Sequence, residues 1–292
     1  MSGFAVSTRE VSVHFGDTRA VDRVSIDIEQ NAIHGLLGRN GSGKTTLLSV
    51  IAALRQPTSG AVLVDGEDPF ENERVMSGMC IVRESGDVMT DEKISTNLSY
   101  FATVRRNWDG DYAAQLLDAF GLDAKKRPGR LSRGQKSAFG VVIGLASRAP
   151  LTIFDEVYLG MDAPSRYRFY DLLLADYVEH PRTFILSSHL ISEIEKLFSG
   201  VTILDSGKLH LSEDAEDLRA QGATITGPAE QVDALTADLT VIGSQVLGTT
   251  RQVTVFGDLD RDFRQRVRGA GLDLGAVPLQ DLFVHLTNQE DR

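Results

Sequence analysis

One cysteine, Cys80, stands in 292 residues, so no intrachain disulfide can form and a reducing compartment suits the chain. No window approaches the roughly twenty consecutive apolar residues that crossing a bilayer requires. The chain opens Met1-Ser2-Gly3-Phe4 without a basic stretch and a following apolar run, so no secretory signal is expected. Basic excess is lacking as well. The formal net charge is -11, so the surface as a whole repels nucleic acid, and no nucleic-acid partner is expected. These absences point to a soluble, cytoplasmic chain of about two domains, long enough to bury a core.

What is present begins with the run Gly38-Arg39-Asn40-Gly41-Ser42-Gly43-Lys44-Thr45. Ala32 to Leu37 reads as a short buried strand feeding into it, and Thr46 to Leu54 as the helix leaving it. Glycines let the backbone curl so that successive N–H groups point inward at phosphate oxygens. The start of the following helix adds its dipole at the same point. Lys44 then reaches the β- and γ-phosphates, while the Thr45 hydroxyl is placed to ligate Mg²⁺. The expected ligand is a nucleoside triphosphate, held by Gly38 through Thr46.

Leu151-Thr152-Ile153-Phe154 is an apolar strand that ends in two carboxylates, Asp155 and Glu156. Such a strand delivers Asp155 to a Mg²⁺ shell and Glu156 to a water. Alone it could equally be a polar strand end. Upstream lies Leu131-Ser132-Arg133-Gly134-Gln135, ahead of an apolar-faced helical stretch from Lys136 to Ser147. Ser132 is a favoured helix cap, and a capped, dipole-bearing helix start is also what a phosphate needs. Downstream, Thr183 to Ser188 is another buried strand that hands over to His189.

In this order the motifs resemble the nucleotide-binding domain of the ATP-binding cassette family, over about residues 9 to 210. The resemblance implies an α/β fold, a P-loop ATPase core with a mixed sheet and a helical subdomain. It implies ATP and Mg²⁺ as ligands, and it makes Lys44, Glu156 and His189 the catalytic set. Ser132, Arg133, Gly134 and Gln135 become the signature, and Asp162 in Gly160-Met161-Asp162 an aspartate used across a subunit boundary. Phe15 falls where the family stacks an aromatic on adenine. It also alternates with Val11 and Val13, so packing is an equal alternative. The family's glutamine after the strand Met79-Cys80-Ile81-Val82 is replaced, because Arg83-Glu84 follows. Glu84 is therefore either a metal-side carboxylate with Thr45 and Asp155 or a solvated loop residue. Arg133 stands where the family commonly has glycine; it adds a cation near the γ-phosphate or points to solvent.

The resemblance further implies a head-to-tail dimer, with itself or a related cassette, and a separately encoded transmembrane permease. The expected role is an ATP-hydrolysing transporter subunit at the inner face of the membrane, exporter rather than importer. The alternative is a lone cassette acting in assembly or biogenesis. A chromosome-maintenance type would need a long heptad insertion between Lys44 and Ser132. A translation-factor type would need a second phosphate loop. Neither is in the sequence.

The expected boundaries are 1–212 for the ATPase domain, with its helical subdomain at about 85–148, and 213–292 for an accessory α+β domain. In the tail, Ala223–Thr226, Val241-Ile242, Gln252–Phe256 and Leu272–Leu274 read as strands, and Pro228–Leu239 and Asp260–Arg268 as helices. That is the split βαβ order of a ferredoxin-like module. Leu279 to Thr287 resembles the close of many exporter-type cassettes.

Overall fold

A computed structural model describes residues 2–83, 87–189, 191–257, 259 and 261–288. The chain divides into two compact units, Met1–His189 with Thr202–Ser212, and Leu190–Val201 with Glu213–Arg292.

In the first unit, β1 (Val6–Phe15), β2 (Thr18–Val24), β3 (Asp27–Ile28), β4 (Ile33–Leu37) and α1 (Lys44–Ile51) come first, followed by β5 (Ser59–Val64), α2 (Glu73–Ser77) and β6 (Met79–Arg83). Next come α3 (Ile94–Val104), α4 (Gly110–Ala119), α5 (Arg133–Ala146), β7 (Leu151–Asp155), α6 (Ala163–Glu179) and β8 (Thr183–Ser188). β1 pairs antiparallel with β2, β3 and β5 to form one sheet. A second sheet has the order β10-β9-β4-β8-β7-β6, where β9 is Gly200–Asp205 and β10 is Lys208–Asp214.

Every residue of β4, β7 and β8 is buried, the pattern of parallel strands covered on both faces. Their parallel register pairs Leu37 with Ser188 and Asp155 with Ser187. The carboxyl ends of three neighbouring strands therefore reach one edge together, and the loops leaving them carry the chemistry.

α5 packs its buried stretch, Ser137 to Ala146, against these strands. A Cβ on Gly144 would fall 2.4 Å from the Phe154 ring, so only glycine lets helix and strand come this close. α3, α4 and a 3₁₀ turn at Pro128–Arg130 make up the helical region expected before the signature.

The second unit holds α7 (Ile191–Ile194), α8 (Ala215–Ala220), β11 (Gly222–Pro228), α9 (Ala229–Thr236), β12 (Thr240–Leu247), β13 (Thr250–Phe256), α10 (Arg261–Gly269), β14 (Asp273–Gly275) and α11 (Leu279–Asn288). Its antiparallel sheet runs β12-β13-β11-β14. Ile225, Val253 and Val255 from the sheet meet Val232, Phe263 and Val267 from the helices in one core. From β11 to β14 the element order is the split βαβ read from the sequence.

Candidate functional site

The phosphate loop is closed on its own lysine. Lys44, whose side chain is 4% exposed, donates through Nζ to the carbonyl oxygens of Gly38 at 2.8 Å and Arg39 at 3.1 Å. Gly43 has φ of 98° and caps α1 in the left-handed region. A Cβ there would also lie 2.4 Å from the Ala20 carbonyl oxygen, so glycine is required twice over. No acidic residue of α1 itself stands in its first turn, so the helix adds no negative charge of its own at the positive end of its dipole. Ala20, Asn40 to Thr46 and Glu156 line an open pocket of about 200 Å³ above the loop. The buried Ser42 hydroxyl has no hydrogen-bond partner among the described residues. Buried orphans of this kind call for an incoming partner, and a phosphate oxygen fits.

Asp155 ends β7, buried, and its Oδ1 accepts from the Ser187 hydroxyl at 2.6 Å. Burial pushes the Asp155 carboxyl above the usual carboxylate range and the nearby Glu156 charge adds to this, against the hydrogen bonds from Ser187 and Thr45 and the attraction of Lys44. A cation beside it would hold it ionised. Thr45 and Asp155 supply only two protein oxygens. That donor set suits Mg²⁺, which commonly takes one or two carboxylates and completes its shell with phosphates and water.

Immediately after β7 the backbone turns sharply, with Glu156 at φ 50°, a left-handed conformation that costs a non-glycine residue about 1–3 kcal/mol. The turn brings Glu156 Oε1 to 3.3 Å from Lys44 Nζ and to 3.3 Å from His189 Nδ1. The three residues expected to be catalytic, from three separate loops, are thereby brought together around one carboxylate oxygen.

The signature residues stand elsewhere. Ser132 caps α5 in a reciprocal capping box: the Gln135 amide donates to Ser132 Oγ at 3.2 Å, and the Ser132 amide to Gln135 Oε1 at 3.1 Å. Gly134 sits so close to the turn after Glu156 that a Cβ would lie 2.6 Å from the Gly160 carbonyl oxygen. Arg133 is exposed. None of these four residues lines the Lys44 pocket.

Asp162 caps α6, accepting from the Ser165 amide at 2.9 Å, and that bonding holds its carboxyl below the usual range. Phe15 is 46% exposed while Val11 and Val13 are buried, so it does not share their core. Its ring instead carries the Arg55 guanidinium, 4.3 Å from the centroid. Glu84 lies outside the described residues.

Sequence reasoning passed over two side chains that the structure puts at the centre. Ser187 and Tyr158 are both buried and both hydrogen-bonded to the Glu156–His189 region. Ser187 lies directly across the ladder from Asp155, but β8 ends in two adjacent serines and nothing in the sequence sets the first apart.

The ABC transporter family model matches residues 21–158, from β2 through the phosphate loop and signature to the turn after Glu156. The chain is 31% identical over 216 residues to the bacitracin transport ATP-binding protein BcrA of Bacillus licheniformis, covering 70% of this chain and 68% of that one. It is 27% identical to the methionine import ATP-binding protein MetN of Staphylococcus haemolyticus, over 66% of this chain and 60% of the relative. Among solved structures, a dimeric ATP-binding cassette in a post-hydrolysis state with ADP and Pi aligns at a TM-score of 0.63 and 20% identity. That alignment covers 72% of this chain and 98% of the other, and at such identity it shows the fold alone.

Proposed function

Because this chain belongs to the ABC transporter family, as an ATP-binding subunit, we propose that it hydrolyses ATP in a head-to-tail dimer that drives a separate membrane permease outward. The observation that carries this reading is the single Glu156 oxygen within 3.3 Å of both Lys44 Nζ and His189 Nδ1.

In the mechanism this supports, arriving phosphates displace the Gly38 and Arg39 carbonyls from Lys44, which then neutralises charge on the transferred phosphoryl group. Glu156 takes the proton of the attacking water, and His189 holds the γ-phosphate in line. Thr45 and Asp155 would hold Mg²⁺, which when bound neutralises charge on the phosphate oxygens. Ser132, Gly134 and Gln135 lie outside the Lys44 pocket, so a second copy, or a related cassette, would present them at the start of its own α5. The similar solved cassette is itself a dimer.

A groove of about 390 Å³ between β6 and the helical region offers a docking place for the permease. Leu54, Arg83, Tyr100 and Val104 line it, with large apolar surface left open. No helix among the described residues is long and apolar enough to cross a membrane, so a transporter of this kind needs a partner that is. The outward direction rests on the closing segment from Leu279 to Thr287. The relatives include a protein named for methionine import, so direction needs its own assay.

Co-purification from detergent-solubilised membranes tests the role. Recovery with a polytopic membrane protein is expected, and recovery with soluble proteins alone would replace transport by the assembly-factor reading. ATP-driven accumulation of the partner's cargo in inside-out vesicles would support outward pumping; none there, with accumulation in right-side-out vesicles, would reverse it.

A further inference from the structure

β7 and β8 pair in parallel as far as Asp155 and Ser187. There β7 turns away at the left-handed Glu156, and the backbone can no longer supply the ladder. Two hydroxyls take over. Ser187 Oγ accepts from the Glu156 amide at 2.9 Å and donates to Asp155 Oδ1 at 2.6 Å. Tyr158 Oη accepts from the His189 amide at 3.2 Å and donates to Ser188 Oγ at 2.8 Å. Both side chains are buried, Tyr158 at 1% exposure and Ser187 at 0%. With water excluded, such bonds are strong and costly to break.

We propose that Tyr158 and Ser187 are positioning residues for ATP hydrolysis, their hydroxyls lashing the backbones of Glu156 and His189 together where the strand ladder stops. Neither hydroxyl is aimed at the phosphate pocket; each acts through the residue it holds. Ser187 anchors Glu156 from the β8 side, and Tyr158 anchors His189 from the β7 side. The clamp is therefore reciprocal, and it sets the 3.3 Å approach of Glu156 Oε1 to His189 Nδ1. A displacement of about 1 Å at such a site costs up to roughly a hundredfold in rate. Ground-state nucleotide binding is carried by the phosphate loop, whose pocket Tyr158 does not line. The inference rests on the ATPase reading.

The experiment is Tyr158→Phe, which keeps the ring and removes only the hydroxyl, with steady-state ATPase kinetics and selective ¹⁵N-histidine labelling. The chain has six histidines, so one spectrum follows the His189 amide against five internal controls. Expected is a kcat lower by about tenfold with KM within about twofold. The His189 amide resonance should shift and exchange faster while the other five stay put. Ser187→Ala should lower kcat in the same way, and Ser187→Thr, which retains the hydroxyl, should restore part of it.

An unchanged His189 amide, or a shifted amide with wild-type kcat, would overturn the proposal. So would a loss of kcat matched by an equal loss of folded protein. A wild-type protein that binds ATP without hydrolysing it would remove the ATPase reading, and this inference with it. An active wild type beside an equally active Tyr158→Phe would remove this inference alone.

Discussion

The Nζ of Lys44 lies 3.3 Å from Oε1 of Glu156, within a ring of loop carbonyls that it also holds. The proposed phosphate-binding cation is thus engaged by the proposed base and by its own loop at once. In the proposed mechanism ATP would replace those contacts and free Glu156 to meet a water.

Replacing Glu156 with Gln removes the proton acceptor while keeping the shape. Hydrolysis should fall by about 10²–10⁴-fold. Nucleotide affinity should hold or rise, because a neutral amide competes less for Lys44. The variant should accumulate as ATP-bound dimers on a sizing column. Wild-type turnover would take Glu156 out of the mechanism.

Gly134→Ala separates the signature from the phosphate loop. Its Cβ would meet the Gly160 carbonyl oxygen at 2.6 Å, so the start of α5 must move away from the turn that follows Glu156. ATP binding by the monomer should be intact, since Gly134 does not line the Lys44 pocket. ATP-dependent dimerisation and hydrolysis should both fall by about tenfold or more. Fluorescent-nucleotide titration beside light scattering checks both halves, and a loss of monomer affinity would contradict the assignment.

The phosphate loop and the carboxylate strand were legible because their chemistry is local. Gly41, Gly43 and Lys44 need fixed offsets along one turn, and an apolar strand ending in Asp155-Glu156 declares its own end. The Tyr158 and Ser187 clamp was not legible, because its meaning arises only when two strands far apart in sequence align. In the tail, Val241-Ile242 marks only the start of β12, which runs on to Leu247. Gly243-Ser244-Gln245 has no apolar alternation to mark a strand, but pairing with β13 keeps it extended, with a bulge between Val241 and Gly243. Phe15 misled by its alternation with Val11 and Val13. A register shift between Val13 and His14 breaks that alternation before the strand ends.

A buried charge cluster around Asp176 should contribute strongly to stability. Asp176, almost wholly buried, pairs through Oδ1 with Arg148 and through Oδ2 with Arg182 at 2.5 Å. Arg148 also reaches Asp109, the cap of α4, at 3.1 Å, so the cluster ties the helical region to α6 and β8. Asp176→Asn leaves two guanidinium groups without their shared anion. The expected loss is about 3–5 kcal/mol in urea unfolding. A loss below about 1 kcal/mol, the surface-pair range, would mean that water reaches the cluster.

His34 gives the chain a defined acid sensitivity. It is buried in β4 immediately before the phosphate loop, its Nε2 2.8 Å from Thr202 Oγ1, which in turn meets Ser212 Oγ at 2.9 Å. Burial lowers its pKa from 6.5 to about 4, so in the fold the ring stays neutral where the unfolded chain already takes up a proton. Stability from this group is complete above the unfolded pKa and is lost as pH falls through the window from 6.5 to about 4. Between pH ~7.5 and ~5 the loss should be about 2 kcal/mol. His34→Gln keeps a polar side chain for Thr202 but cannot titrate, so its stability should fall less over the same range. Urea unfolding of both proteins at the two pH values measures the difference directly. Equal losses would mean that His34 is not the group responsible.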